Sequence, residues 1–123
     1  MKKFLILVAV VAISLAAGCM GEVKTYTDSG QTIDIGVNQE FVIALGSNPT
    51  TGYMWQISHD ENILELVEKT YKQTGEPVGG GGVEYFRFKP LKAGETKITL
   101  VYKRPWEEAT PQDVTKVFTV SIR

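Results

Sequence analysis

Phe41-Val42-Ile43-Ala44-Leu45-Gly46-Ser47-Asn48-Pro49-Thr50-Thr51-Gly52-Tyr53-Met54-Trp55-Gln56-Ile57 decides how the chain is read. Phe41, Ile43 and Leu45 alternate with smaller residues, and a second short run carries Trp55 and Ile57. Apolar residues at every second position are the mark of a strand with one buried face, so this is strand, loop, strand. The loop is stiff by composition. Pro49 sets its own φ and biases Asn48 toward extended geometry, while Gly52 admits a positive φ that a side chain would resist. Thr50 and Thr51 stand at its tip, small and neutral, a shape suited to insertion into another molecule's cleft. The alternative is an ordinary turn, since Asn, Pro, Thr and Gly are common turn residues.

Outward from this unit, the same period-two pattern recurs. Ile33, Ile35 and Val37 alternate over 32–37, and a strand over 40–45 follows a turn at Asn38-Gln39. The run 54–57 turns Trp55 toward the interior. Phe86 and Phe88 share one face of 83–89, with Tyr85 and Arg87 on the other. Ile98, Leu100 and Tyr102 alternate over 96–103, and Phe118, Val120 and Ile122 over 114–123. The stretch 60–72 is ambiguous. Ile63, Leu64, Val67 and Tyr71 fit a helical stripe with Asp60 as N-cap, whereas Leu64 and Leu66 fit a strand. A turn at 60–62 followed by a strand over 64–72 is preferred, because one helix would have to cover a sheet face alone. Seven or eight short strands separated by turn residues predict an all-β fold, an immunoglobulin-like antiparallel β-sandwich, with a closed barrel as the alternative.

At the N-terminus, Met1-Lys2-Lys3 precedes an apolar stretch from Phe4 to Ala17, too short for a permanent bilayer span. Residues 1–18 are therefore expected to be a signal peptide. Leu15-Ala16-Ala17-Gly18-Cys19 resembles the lipobox of prokaryotic lipoproteins, in which the cysteine becomes the lipidated N-terminus. Ala16 stands where leucine is preferred, so ordinary secretion with cleavage near Ala17 is the alternative. Cys19 is the only cysteine, and no disulfide can staple the domain. The expected organisation is a signal segment at 1–18, a polar tether at 19–31 and one domain at 32–123, exported as a cell-envelope lipoprotein or a secreted protein. If Cys19 is lipidated, the membrane is expected to be met only through that lipid.

Charge narrows the partners. Without Lys2 and Lys3 the 13 basic residues fall to eleven against 14 acidic ones, a net near −3. No basic stripe remains, which argues against nucleic acid, whose phosphates require clustered positive charge. The histidine His59, beside Ser58, Asp60 and Glu61, is the one place to look for catalysis. A working site needs nucleophile, base and orienter converging, and a flanked histidine at a strand end does not supply them. No metal-ligand spacing is present and no cofactor is expected.

Two further stretches join the first loop. Gly79-Gly80-Gly81-Gly82 lets a backbone approach another surface closely and offer its own N–H and C=O groups, the alternative being a floppy connection. Arg104-Pro105-Trp106 sets a tryptophan in a loop, where it either anchors an interface or folds back on the core. Strands that run up and down place loops two connections apart at the same end, so all three should cluster.

Together these stretches resemble the chagasin family, small protein inhibitors of papain-like cysteine peptidases. The family's Asn-Pro-Thr-Thr-Gly-aromatic, glycine-rich and Arg-Pro-Trp loops stand here, in order, as Asn48 to Tyr53, Gly79 to Gly82, and Arg104 to Trp106. The likeness runs from about Ile33 to Arg123; the glycine-only second loop departs from the family's more varied residues. It implies a monomeric, reversible, competitive, non-covalent inhibitor, not an enzyme. It implies too that Asn48, Pro49, Thr50, Thr51, Gly52 and Tyr53 cover the target's catalytic cysteine. Gly79, Gly80, Gly81 and Gly82 would lie along the substrate groove, and Arg104, Pro105 and Trp106 would grip the opposite wall. The rival reading is an immunoglobulin-like envelope module binding carbohydrate or protein through Trp55, Trp106 and the tyrosines, since the fold alone does not determine function.

Overall fold

The computed structural model describes residues 23–74 and 81–123. The chain forms eight strands: β1 (Lys24–Tyr26), β2 (Thr32–Ile35), β3 (Phe41–Ser47), β4 (Met54–Ser58), β5 (Leu64–Gln73), β6 (Gly82–Pro90), β7 (Gly94–Lys103) and β8 (Val114–Ile122). They build two four-stranded sheets, ordered β1-β3-β6-β5 and β2-β8-β7-β4. This is the two-sheet, all-β sandwich that the alternation predicts. The strands within each sheet pair antiparallel except at one edge of each, where β1 joins β3 and β2 joins β8 in parallel.

The alternating residues converge as their spacing requires. Phe41, Ile43, Leu45, Leu64, Phe86 and Phe88 from one sheet meet Ile33, Ile35, Trp55, Ile98, Leu100, Phe118, Val120 and Ile122 from the other. Phe41 and Phe88 are register partners whose rings stack at 5.6 Å. Burying each such ring favours folding by about 1.5–3 kcal/mol over leaving it exposed. With no disulfide, this interior supplies the stability of the body.

Two details differ from the expectations, and a third bears them out. Lys24–Tyr26, within the stretch read as a tether, is strand β1, and Tyr26 sets its ring edge-on to Phe41 at 6.2 Å. Three residues are too few to display an alternation. Val37 leaves the face of Ile33 and Ile35 and is 38% exposed, because the chain turns there. Asn38 takes the left-handed φ of 68° that the turn needs, and its N–H donates to the Pro90 carbonyl at 2.9 Å. Finally, 60–72 is a turn and strand, and the helical look of its apolar residues comes from a bulge at Val67. Register passes from Leu66↔Phe88 to Glu68↔Arg87, leaving Val67 the extra residue. An extra residue switches the phase of side-chain alternation, so Leu64 and Leu66 lie on the inner side before it and Lys69 and Tyr71 after it. Lys69 sits over the Phe86 ring at 5.8 Å accordingly.

Because the strands alternate in direction, the β3–β4, β5–β6 and β7–β8 connections all leave the same end of the sandwich. Each is one of the three loops singled out in the sequence.

Candidate functional site

The first loop is a single 3-10 turn, Pro49–Thr51, with Pro49 at its first position and Asn48 as its cap. Nearly every polar group in it is used internally. The Asn48 side-chain oxygen accepts from Thr50 N–H at 3.3 Å and from the Thr50 hydroxyl at 2.6 Å. The Asn48 carbonyl accepts from Thr51 N–H at 3.1 Å and the Thr51 hydroxyl at 2.7 Å. Gly52 N–H returns to the Pro49 carbonyl at 2.9 Å, with Gly52 at φ 87° closing the turn. This pattern of Asx cap, proline and left-handed glycine satisfies several of the orphan groups of a short helix from within the loop. Thr50 and Thr51 remain exposed at the tip.

Strand β7 holds the loop from below. Asn48 N–H donates to the Tyr102 hydroxyl at 2.9 Å, and the Tyr102 ring lies 5.4 Å from Tyr53 and 4.9 Å from Trp55. Trp55 is 4% exposed and donates its indole N–H to the Gly46 carbonyl at 2.9 Å. It therefore belongs to the interior and is unavailable as an adhesive surface residue.

The third loop is joined to the first. Arg104 Nε donates to the Thr51 carbonyl at 3.1 Å, and its guanidinium lies 4.9 Å over the Tyr53 ring, a cation–π arrangement. Its Nη1 also approaches Glu107 Oε2 at 3.5 Å. Arg104 thus spans the two loops from within. Trp106 is 71% exposed and so does not fold back on the core. One edge of its ring rests on Gly52, where a Cβ would lie 2.7 Å from Trp106 Cη2. Glycine at 52 serves both the positive φ and this close approach.

The glycine loop reaches the same place. At its root, Gly81 accepts from Thr74 N–H at 3.2 Å and the Thr74 hydroxyl at 2.9 Å. A Cβ on Gly81 would stand 3.2 Å from the Ser47 carbonyl, beside the start of the first loop. Gly82 pairs with Ser47 on one side and Gln73 on the other, and a methyl there would collide with the Lys72 carbonyl and the Tyr71 hydroxyl. Gly79 and Gly80 lie outside the described residues, as does Cys19. Asn48, Pro49, Thr50, Thr51, Gly52, Tyr53, Gly81, Gly82, Arg104, Pro105 and Trp106 all belong to one end of the molecule.

The residues weighed for catalysis sit elsewhere. Ser58 ends β4 and His59, Asp60 and Glu61 follow it at the opposite end, where His59 packs edge-on against Phe88 at 5.3 Å. Asp60 organises a turn, its carboxylate accepting from Asn62 N–H at 2.9 Å and its carbonyl from Leu64 N–H at 2.9 Å.

Two supporting residues escaped the sequence reading. Tyr102 was visible only as an inward-facing strand residue, with nothing to say that its hydroxyl meets Asn48. Glu84, 2% exposed, shares the inward phase of Phe86 and Phe88, and a charged residue in that phase was the available signal.

Comparison with known proteins identifies the family and the fold. Residues 34–122 match the model of the chagasin family peptidase inhibitor I42. Amoebiasin-2 of Entamoeba histolytica is 34% identical over 104 residues, 82% of this chain and 85% of that protein. Chagasin of Trypanosoma cruzi is 30% identical over 110 residues, 85% of this chain and 98% of that protein. The crystal structure of EhICP2, a cysteine protease inhibitor from Entamoeba histolytica, superposes with a TM-score of 0.72 at 32% identity, covering 82% of this chain and 96% of that one. These relatives are inhibitors, not enzymes. A family match over most of the chain, joined to a sandwich carrying the Asn-Pro-Thr-Thr-Gly, glycine-rich and Arg-Pro-Trp loops at one end, places this protein in the chagasin family of peptidase inhibitors.

Proposed function

We propose that the protein is a reversible, competitive, non-covalent inhibitor of papain-like cysteine peptidases that fills the catalytic cleft with its three loops. The observation that carries this reading is the bridge at the loop end: Arg104 bonded to the Thr51 carbonyl and Trp106 seated on Gly52. Segments more than fifty residues apart in sequence are thereby fused into one preformed edge. A surface already ordered loses little conformational entropy on docking, which favours tight binding without a chemical step.

The tip is also a poor substrate. The carbonyls of Asn48, Pro49 and Thr51 each accept hydrogen bonds within the loop end, and the backbone is coiled in a 3-10 turn. Attack by a thiolate needs a carbonyl free to enter an oxyanion site, and these are committed elsewhere. Thr50 and Thr51 then cover the catalytic cysteine and the glycine loop follows the groove by its backbone. Trp106 supplies the large exposed aromatic that interfaces commonly use as an anchor. Arg104 acts mainly by holding the first loop to the third.

The test is a titration of the chain from residue 20 onward against papain and a lysosomal-type cathepsin. Stoichiometric loss of activity that substrate competes away is expected. Full activity at micromolar protein overturns the proposal and favours the envelope module.

Residues 1–19 support export, with Cys19 lipidated or the protein secreted. Labelling cells with radioactive palmitate separates the two: incorporation that Cys19→Ala abolishes marks the lipoprotein, and its absence marks the secreted form. The inhibitor acts as a monomer, so light scattering of the free protein should return the mass of one chain.

A further inference from the structure

Glu84 presents an unusual feature of the interior. Its side chain is 2% exposed, and its Oε1 is the one buried side-chain oxygen or nitrogen among the described residues that lacks a hydrogen-bond partner. Its other oxygen is heavily used. Oε2 accepts from the Ser47 hydroxyl at 2.5 Å and from Trp55 N–H at 3.3 Å. The first distance is the length of a hydroxyl bound to a carboxylate.

The two donors are telling. Ser47 is the last residue of β3 and Trp55 the second of β4, so they flank the first loop on either side. Glu84 itself is the third residue of β6, just beyond the glycine loop. One oxygen therefore ties both feet of the Asn48 to Tyr53 loop to the strand that emerges from the glycine loop. It also links the two sheets, since β6 and β3 lie in one and β4 in the other. On the β5 side the loop borders a cleft of about 150 Å³, open to solvent and lined by Pro49, Met54, Lys69, Thr70, Tyr71 and Glu84. Dispersion contacts are fewer on that side, so directional bonds add to the packing of Tyr53 and Trp55 on Tyr102 in setting the loop's position. A buried carboxylate with an unpaired oxygen is costly, and such groups persist where they specify an arrangement rather than where they add stability.

We infer that Glu84 is a positioning residue of the inhibitory end: it touches no target, yet sets the first loop relative to Gly81 and Gly82 at the head of β6. This rests on the inhibitor reading above for its functional arm and on free-protein geometry for the other.

The experiment compares four variants with wild type by amide hydrogen exchange of the free protein and by inhibition of papain. Glu84→Leu keeps much of the volume and removes both acceptors. It is expected to speed exchange at the Thr51 and Gly52 amides at least tenfold and to weaken inhibition at least tenfold. Exchange in the middle of β7 should stay as in wild type. Glu84→Gln retains an acceptor oxygen and should remain within threefold of wild type in both measurements. Leu64→Ala, a core truncation at the far end, should lower the melting temperature and leave loop exchange and inhibition within threefold. If Glu84→Leu fails to fold, Ser47→Ala removes one of the two donors and should still speed loop exchange at least threefold.

Wild-type exchange at the loop in Glu84→Leu, or in Ser47→Ala should it stand in for that variant, overturns the inference, as does an effect that Leu64→Ala reproduces or that Glu84→Gln fails to rescue. If wild-type protein leaves papain active, the inhibitor reading falls, and the exchange arm alone still decides the role of Glu84.

Discussion

The two ends of this sandwich are built by different physics. At the end formed by Asn38, Asp60 to Asn62 and Gly94, successive strands of opposite sheets are joined by short turns whose bonds are local or run between main-chain groups. At the other end, side chains from distant strands reach across: Tyr102 to Asn48, Arg104 to Thr51, Glu84 to Ser47 and Trp55. Between them lies an apolar interior of four phenylalanines and their aliphatic neighbours. Hydrophobic burial is strong but non-directional, so it holds the body together without fixing a loop to a fraction of an ångström. Hydrogen bonds contribute less each but carry geometry. Stability should therefore be lost mainly in the interior, and inhibition mainly at the bonded end.

Substitutions can break this division, taken here in order of their expected effect on stability. Phe88→Ala removes a fully buried ring stacked on Phe41 and should cost about 3–5 kcal/mol in urea denaturation, the usual range for such a truncation. A cost under about 1 kcal/mol would mean that the interior is not what holds the sheets. Gly52→Ala forces a side chain into φ 87° and into the Trp106 ring, for about 2 kcal/mol of destabilisation. Its inhibition should fall by more than that stability loss accounts for, and equal losses would erase the distinction between the ends. Tyr102→Phe leaves Asn48 N–H without its acceptor, worth about 1 kcal/mol by thermal melting, with slower association or faster release from the peptidase. Trp106→Ala should change stability by about 0.5 kcal/mol or less, as at other exposed positions, while weakening inhibition more than any of the others relative to that cost. A large stability loss there would assign the indole to the body.

How much of this could be read from the chain follows the same division. Phe41, Ile43, Phe86, Phe88, Ile98, Leu100, Phe118 and Val120 announced themselves by alternation, because burial on one face of a strand writes a period of two into the sequence. The bulge at Val67 gave β5, legible as a strand, a competing helical stripe for the converse reason: one inserted residue shifts the phase, and two strand phases in succession imitate a spacing of three and four. The three-residue strand β1 left no pattern at all. In the candidate site, Pro49 and Gly52 were legible because their backbone preferences are intrinsic to the residue. Arg104 was legible as a member of the site but not as a strut, since its partner, the Thr51 carbonyl, is a main-chain atom that no side-chain code records.

By itself, then, the order of residues determined the strands other than β1, the buried face of most of them, and that three turn-rich segments interrupt them in an alternating series. Those properties depend on local periodicity and on single-residue backbone preference. Only the tertiary structure decided that Glu84 meets Ser47 and Trp55, that Tyr102 carries Asn48, and that the Trp106 ring comes to rest on Gly52. Each of these is a directional contact between residues far apart in the chain. Which long-range partners meet is settled when the two sheets pack face to face.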